Sequence, residues 1–166
     1  MPSRSFPIVL VALLALSILT GCGGSGGGNK KMQVVDGTGF RFQAPADWPI
    51  TRAKGRVVAG SGPELVQVAT FTLLKPYSKA LFGRVSRELK TRMAAVAVQT
   101  GGRLAGSETV DAGGVPSHSF RVEAKDRVDQ YTFVLRGRRE YQLLCRRAAS
   151  STDDVCRALI SSFAFV

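Results

Sequence analysis

The spacing of apolar residues along this chain changes in its middle third, and that change indicates the fold class. From Ser78 to about Gln99 the apolar residues recur at steps of three and four, the spacing of an amphipathic helix. The segments before and after it alternate apolar and polar residues, as strands do. The sequence therefore predicts one long helix among strands, ended by Gly101 and Gly102. Its predicted core-facing stripe is Leu81, Val85, Leu89, Met93 and Val96.

Strand-like segments follow one another through short connections on both sides of that helix. The connections contain Gly60 to Pro63, Asp111 to Gly114, and Gly137, which are residue types common in tight turns. Connections of this length favour antiparallel neighbours over crossover units. The predicted strands are 40–44, 56–59, 65–74, 104–110, 115–124, 128–136 and 140–147.

Two neighbouring strands are expected to pack against the long helix. In the first, the side chains on one face are Tyr131, Phe133 and Leu135. In the second, they are Tyr141, Leu143 and Cys145. Because successive side chains of a strand point to opposite faces, each set forms one continuous surface. We expect both surfaces to meet the helix.

The C-terminal residues predict a short helix followed by an edge strand. Ser151 or Thr152 can cap this helix, since hydroxyl side chains accept hydrogen bonds from the first-turn amides. Asp153 and Asp154 then fall in the first turn, where the helix dipole favours acidic side chains. Residues 163–165 close the chain as an edge strand.

The N-terminal segment resembles the lipobox region of bacterial lipoproteins. An apolar run from Phe6 to Leu19 is followed by Thr20, Gly21 and Cys22, and a glycine-rich stretch begins directly afterwards. The run is shorter than the roughly 20 residues of a membrane span, which argues against a transmembrane helix. The cysteine and the glycine-rich stretch after it argue against a plain secretory signal, which needs only small residues at its cleavage site. The resemblance implies a signal peptide at 1–21, a diacylglyceryl group with chains such as palmitate on Cys22, a tether at 22–31 and a single domain at 32–166.

Cysteine usage agrees with export. The chain has three cysteines, and assigning Cys22 to lipid leaves Cys145 and Cys156 as a pair. In an oxidising compartment such a pair predicts a disulfide. The competing interpretation is a free catalytic thiol, but nothing in the sequence marks either cysteine as activated.

The charge balance leaves two interpretations open, a generic solvated basic surface and a surface for an anionic partner. The chain carries 23 Lys and Arg against 12 Asp and Glu, a net charge of +11. For an exported protein such a charge points to anionic lipid head groups or envelope polymers rather than nucleic acid. On the long helix, the arc opposite the apolar stripe carries Lys79, Arg84, Arg87 and Lys90. The alternative is that this arc is a solvated face without a partner.

Motifs for catalysis or cofactor binding are not visible in the sequence. His118 has the strand parity of Phe120 and Val122, which predicts a core position, while Ser117 and Ser119 point to the opposite face. A glycine-rich turn at 60–63 lacks the Gly-Lys-Ser/Thr ending of a phosphate loop. One histidine and a cysteine pair do not form a metal site. We therefore expect neither a catalytic residue nor a cofactor nor a metal.

Several segments resemble the PsbP-like superfamily, including the LpqN-type lipoproteins of actinobacteria. The segments are Gly39 to Pro49, the basic helix, Gly114 to Val122, Tyr141 to Cys145, and Ser161 to Phe163. The resemblance implies an α+β fold: an α/β/α sandwich with a mainly antiparallel sheet packed against one long helix and a short C-terminal helix. It also implies a protein without enzymatic activity that serves as an accessory or binding module.

These observations favour one function class and leave two others open. The first is a membrane-anchored, exported lipoprotein on the extracytoplasmic side of the cell membrane, acting as a non-catalytic binding or accessory module. An exposed apolar patch on the sheet would favour an accessory subunit of a membrane complex. The alternatives are an unrecognised envelope hydrolase and a purely structural envelope protein.

Overall fold

A computed structural model describes residues 31–166. The predicted signal peptide, Cys22 and all but the last residue of the predicted tether lie outside the described residues. The elements are β1 (Met32–Gly37), β2 (Phe40–Pro45), β3 (Ile50–Ala53), β4 (Arg56–Ser61), β5 (Glu64–Thr72), α1 (Phe82–Gln99), β6 (Arg103–Ala112), β7 (Val115–Glu123), β8 (Arg127–Arg136), β9 (Arg139–Ala148), α2 (Asp154–Ser162) and β10 (Ala164–Phe165).

The strands form two antiparallel sheets. The large sheet has the order β3-β4-β5-β9-β8-β7-β6, and the small sheet has the order β1-β2-β10. Each neighbouring pair in both sheets is antiparallel. The large sheet consists of two meanders that meet where β5 pairs with β9. This confirms the predicted α+β class with a mainly antiparallel sheet, one long helix and a short C-terminal helix.

The helix α1 covers one face of the large sheet at its β6 and β7 end. Met93 and Ala97 are buried there against Phe120, Val122 and Phe133. The expectation that the Phe133 face of β8 meets the helix is therefore confirmed. Among residues 31–166, no helix has the length and apolar composition needed to cross a membrane.

The opposite face of the large sheet is covered by α2 and the small sheet. Its core is rich in aromatic side chains. The Phe40 and Tyr141 rings meet edge to face with their centroids 6.0 Å apart, and the ring centroids of Phe163 and Tyr141 are 5.6 Å apart. Trp48 is also buried in this core. The C-terminal strand β10 is an edge strand, as the sequence predicts, and it pairs with β2 in the small sheet.

One predicted contact is wrong. The Tyr141, Leu143 and Cys145 face of β9 packs against α2 and the small sheet rather than against α1. The hairpin register causes this, because Phe133 pairs with Gln142 while Val134 pairs with Tyr141. Paired residues share a face, so the two predicted surfaces lie on opposite sides of the sheet.

The predicted cap of α2 is also wrong. Asp153 is the capping residue, and its side chain accepts no first-turn hydrogen bond. The Thr152 hydroxyl donates instead to the Asp154 carboxylate at 2.7 Å. The Ser151 hydroxyl donates to Glu64 on β5 at 2.5 Å. These hydroxyls stabilise the loop before α2 rather than the helix end.

Candidate binding surface

The basic residues predicted on the long helix form an exposed surface. Lys79 lies in a 3₁₀ turn at Lys79–Leu81 that precedes α1, and Arg84, Arg87 and Lys90 lie on α1 itself. All four residues are exposed. We call this set (Lys79, Arg84, Arg87 and Lys90) the basic helix face.

Acidic side chains do little to neutralise this face. Within the α1 sequence Glu88 is the single acidic residue, and its carboxylate accepts a hydrogen bond from Arg92 at 2.5 Å. Both side chains are more than half exposed, so the pair contributes little to stability. The helix thus keeps a positive potential toward solvent.

An apolar groove lies between α1 and the sheet, and none of the four residues of the basic helix face lines it. The groove contradicts part of the predicted core stripe. Leu81 is 41% exposed, whereas Ala97, outside the stripe, is buried. With Val85 and Leu89, Leu81 lines a groove of about 270 Å³ between α1 and the sheet. The buried residues of α1 thus lie in its C-terminal half, whereas the side chain of Leu81 just before the helix is partly uncovered.

The segment between β5 and α1 forms the open end of this groove. Its backbone is fixed to the β8–β9 turn, because the amides of Leu73 and Tyr77 donate to the carbonyl oxygens of Arg138 and Gly137 at 2.9 and 2.7 Å. Leu74, between these two anchors, is 94% exposed. A strongly exposed leucine beside exposed cations is a combination suited to a membrane or to a partner protein.

His118 occupies the predicted core position. It is buried on the α1 side of β7, with its ring centroid 3.9 Å from that of Phe82. Burial lowers the pKa of His118 below the ordinary value, and a backbone hydrogen bond at Phe82 partly opposes this effect. Its Nε2 atom has no hydrogen-bond partner within the described part of the chain.

The serines beside His118 do not form a catalytic pair with it. The Ser117 hydroxyl donates to the Val115 carbonyl at 2.8 Å. Ser119 accepts hydrogen bonds from Gln130 at 3.0 Å and Thr132 at 3.2 Å. These contacts lie on the opposite face of β7, as strand alternation predicts.

Cys145 and Cys156 lie at disulfide bonding distance. Their sulfur atoms are 2.03 Å apart and their Cα atoms 5.3 Å apart, which agrees with the predicted pairing. The link joins β9 to α2, and both residues are buried. It therefore fixes the C-terminal helix against the large sheet.

A buried ion pair on β8 and β9 has no counterpart in the sequence-based predictions. Asp129 is buried, and the Arg146 guanidinium donates to both of its carboxylate oxygens at 2.7 and 2.9 Å. The hydrogen bond to Asp129 is the main reason that the pKa of Arg146 is raised. Across residues 31–166 no cluster of three His, Cys, Asp or Glu side chains could hold a metal ion.

Comparison with solved structures identifies the fold. The chain is similar to the solution structure of cyanobacterial PsbP (CyanoP) from Synechocystis sp. PCC 6803, with a TM-score of 0.60, 19% identity, and coverage of 89% of this chain and 99% of that one. It is also similar to a crystal structure from Bacteroides thetaiotaomicron VPI-5482, with a TM-score of 0.56, 12% identity and coverage of 82% of this chain. This chain spans about half of the Bacteroides protein, 48% of its length.

These similarities establish a PsbP-like α+β fold. No family model matches the sequence. No curated protein sequence matches it either.

Proposed function

We propose that this protein is a lipid-anchored, extracytoplasmic binding module with a PsbP-like domain. A lipid on Cys22, after removal of 1–21, would hold the domain at the membrane through a tether at 22–31. The lipobox-like sequence supports the anchor, and the cysteine pair at disulfide distance supports an oxidising compartment. The resemblance to LpqN-type lipoproteins supports the same assignment, with a non-catalytic role.

The partner we propose is an anionic surface, either lipid head groups or an envelope polymer. The observation that carries this proposal is the exposure of all four cations of the basic helix face, which lie on α1 and on the turn just before it. Basic residues near an anionic membrane contribute about 1 kcal/mol each, and the attraction fades within a Debye length. Binding should therefore be strong at low salt and weak at high salt.

Vesicle sedimentation tests the anionic partner. Protein lacking residues 1–28 carries no lipid and should sediment with phosphatidylglycerol vesicles at low ionic strength. Replacing all four residues of the basic helix face by glutamine should reduce sedimentation, most strongly at low salt, while leaving the melting temperature unchanged, because none of them is buried. Equal sedimentation of variant and parent at every salt concentration would contradict this use of the face.

A separate experiment tests the anchor. Cys22→Ser removes the thiol that would carry the lipid, so the protein should remain unprocessed or leave the membrane fraction. N-terminal mass spectrometry of the wild-type protein should find a lipid-modified Cys22 as the first residue. A mature chain that starts at any other residue would refute the lipoprotein assignment.

A second candidate role, as an accessory subunit of a membrane complex, is favoured by an apolar surface on the sheet. On the α1 side of the sheet, β5 carries Phe71, which is 47% exposed, and the exposed Leu74 lies two residues beyond the end of β5. Pull-down from membranes with wild-type protein and a Phe71→Ser variant would test this role. Recovery of a membrane protein by the wild type alone would support it.

A further inference from the structure

A second basic region lies at the opening of a cavity between the two sheets. The cavity has a volume of about 340 Å³ and is bounded by β2, β4, β5 and the start of β9. Its inner wall is apolar and includes Phe40 and Val57, both buried. This volume falls within the roughly 300–1,000 Å³ of small-molecule sites.

Three cations surround the opening of this cavity. They are Lys54, Arg56 and Arg139. The guanidinium of Arg139 extends over the β1–β2 turn, where a Cβ at Gly39 would lie 3.4 Å from its Nη1 atom. Along the described part of the chain, no acidic residue lines the cavity. The local charge therefore favours an anion.

Other arginines at this end of the sheet have partners within the fold. Arg136 stacks over the Phe165 ring at 4.4 Å, and Arg138 donates to the Leu74 carbonyl at 3.1 Å. By contrast, the structure of residues 31–166 shows no ion pair for Lys54, Arg56 or Arg139. Three uncompensated cations at one opening repel each other, and a bound anion would relieve that repulsion.

Hydroxyl groups add hydrogen-bond donors to this positive opening. The cavity is lined by Thr38, Thr70 and Thr72. The Oγ1 atom of Thr70 is buried and has no hydrogen-bond partner among the described residues. A buried hydroxyl without a partner destabilises a fold, and rotation of the Thr70 side chain toward the cavity that it lines would give this hydroxyl a partner on a bound ligand.

We propose that this cavity binds a small organic phosphate, with the phosphate at the basic opening and the organic part against Phe40. Phosphate oxygens accept hydrogen bonds only, which matches the guanidinium, ammonium and hydroxyl donors of the site. The site is distinct from the basic helix face and does not depend on it. Glycerol phosphate is the simplest group of this class, and it occurs both as a free molecule and in phospholipid head groups.

Calorimetric titration tests the site with the full-length, lipid-bearing protein in neutral detergent micelles. The probes are sn-glycerol 3-phosphate, inorganic phosphate and uncharged glycerol. Glycerol 3-phosphate should bind, phosphate should bind more weakly because it lacks the organic part, and glycerol should not bind. Absence of any heat from glycerol 3-phosphate at low salt would overturn the proposal.

Two substitutions locate the binding site. Arg139→Gln should weaken glycerol 3-phosphate binding about tenfold, since a charge-assisted hydrogen bond is lost. Arg52→Gln is the matched control, because Arg52 is an exposed arginine on neighbouring β3 that does not line the cavity. Equal affinities of the two variants would overturn the assignment.

Thr70→Val separates binding from folding. Valine keeps the branched shape of threonine and removes the unpartnered hydroxyl, so the variant should melt at a higher temperature than the parent in the absence of ligand. The same variant should bind glycerol 3-phosphate more weakly. Unchanged affinity would show that Thr70 does not face the ligand and would overturn its assigned role.

Vesicles distinguish the two sources of the glycerol phosphate group. If the natural ligand is a lipid head group, phosphatidylglycerol vesicles should compete with glycerol 3-phosphate for the site in detergent-free protein that lacks residues 1–28 and carries the four glutamine substitutions of the basic helix face. If it is a free molecule, vesicles should not compete. The glutamine variant of the basic helix face retains Arg139 and Thr70. Failure of the proposed membrane role and failure of the proposed phosphate site can therefore be told apart.

Discussion

The two faces of the large sheet are built differently. The face under α2 and the small sheet contains a continuous aromatic core with Phe40, Tyr141 and Phe163, and the Cys145–Cys156 link crosses it. The face under α1 has a smaller core around Met93 and Phe133 and leaves a groove open. The comparison indicates that the face under α2 and the small sheet contributes most of the buried core, whereas the face under α1 contributes less and leaves more side chains exposed.

The largest expected effect contrasts one side chain from each face. Phe163→Ala removes a buried ring from the aromatic core and should lower the free energy of unfolding by about 3–5 kcal/mol. Leu81→Ala changes a side chain that is 41% exposed and should cost less than about 1 kcal/mol. Urea unfolding of both variants measures the difference. Similar losses would refute the proposed division between the two faces.

The disulfide is the next largest contribution. The linked cysteines are 11 positions apart, and closing a short loop restricts the unfolded chain by about 3 kcal/mol. Replacing both cysteines by alanine should lower stability by about that amount, with the main effect on α2. Intact-mass analysis after alkylation should show both thiols blocked in the exported wild type. Alkylation of either thiol without reductant would contradict the link.

Acidification should weaken the α1 face through His118. Burial lowers the pKa of His118 below the ordinary 6.5, so the unfolded chain takes up a proton at a higher pH than the folded protein does. Between those two values the unfolded state binds more protons, and the free energy of unfolding must fall as the pH decreases. His118→Leu should reduce this slope between pH 7 and 5. An identical slope in parent and variant would exclude His118 as its source.

Local patterns predicted most elements, because helical and strand periods depend on neighbouring residues alone. The helix after Ser78 and the strands β2 and β4 to β10 followed from such patterns, whereas β1 and β3 were not predicted. The cysteine pairing followed instead from the two cysteines that remain once Cys22 is assigned to lipid. The face of the sheet on which Tyr141, Leu143 and Cys145 of β9 lie did not follow from such patterns, because it depends on which residues of β8 and β9 are paired. A two-residue turn at Gly137 and Arg138 pairs Val134 with Tyr141, and counting from that turn would have placed the two surfaces on opposite sides.

Long-range contacts account for what the sequence did not reveal. The pairing of β10 with β2 joins the two ends of the domain, and no local pattern encodes it. The burial of Asp129 depends on Arg146 from the next strand, because a lone acid in a strand suggests an exposed position. The proposed phosphate site also depends on long-range contacts, because Lys54, Thr70 and Arg139 come to line one cavity only after the strands assemble.

The smallest expected effect on stability belongs to Leu74. Because this side chain is 94% exposed, Leu74→Ser should change the free energy of unfolding by less than about 0.5 kcal/mol. If the α1 face binds a membrane, Leu74 supplies an apolar contact that salt does not screen, unlike the cations of the basic helix face. Leu74→Ser should then reduce vesicle binding by a similar factor at low and high salt, whereas the glutamine variant loses binding mainly at low salt. A purely salt-dependent loss in Leu74→Ser would remove Leu74 from the binding surface.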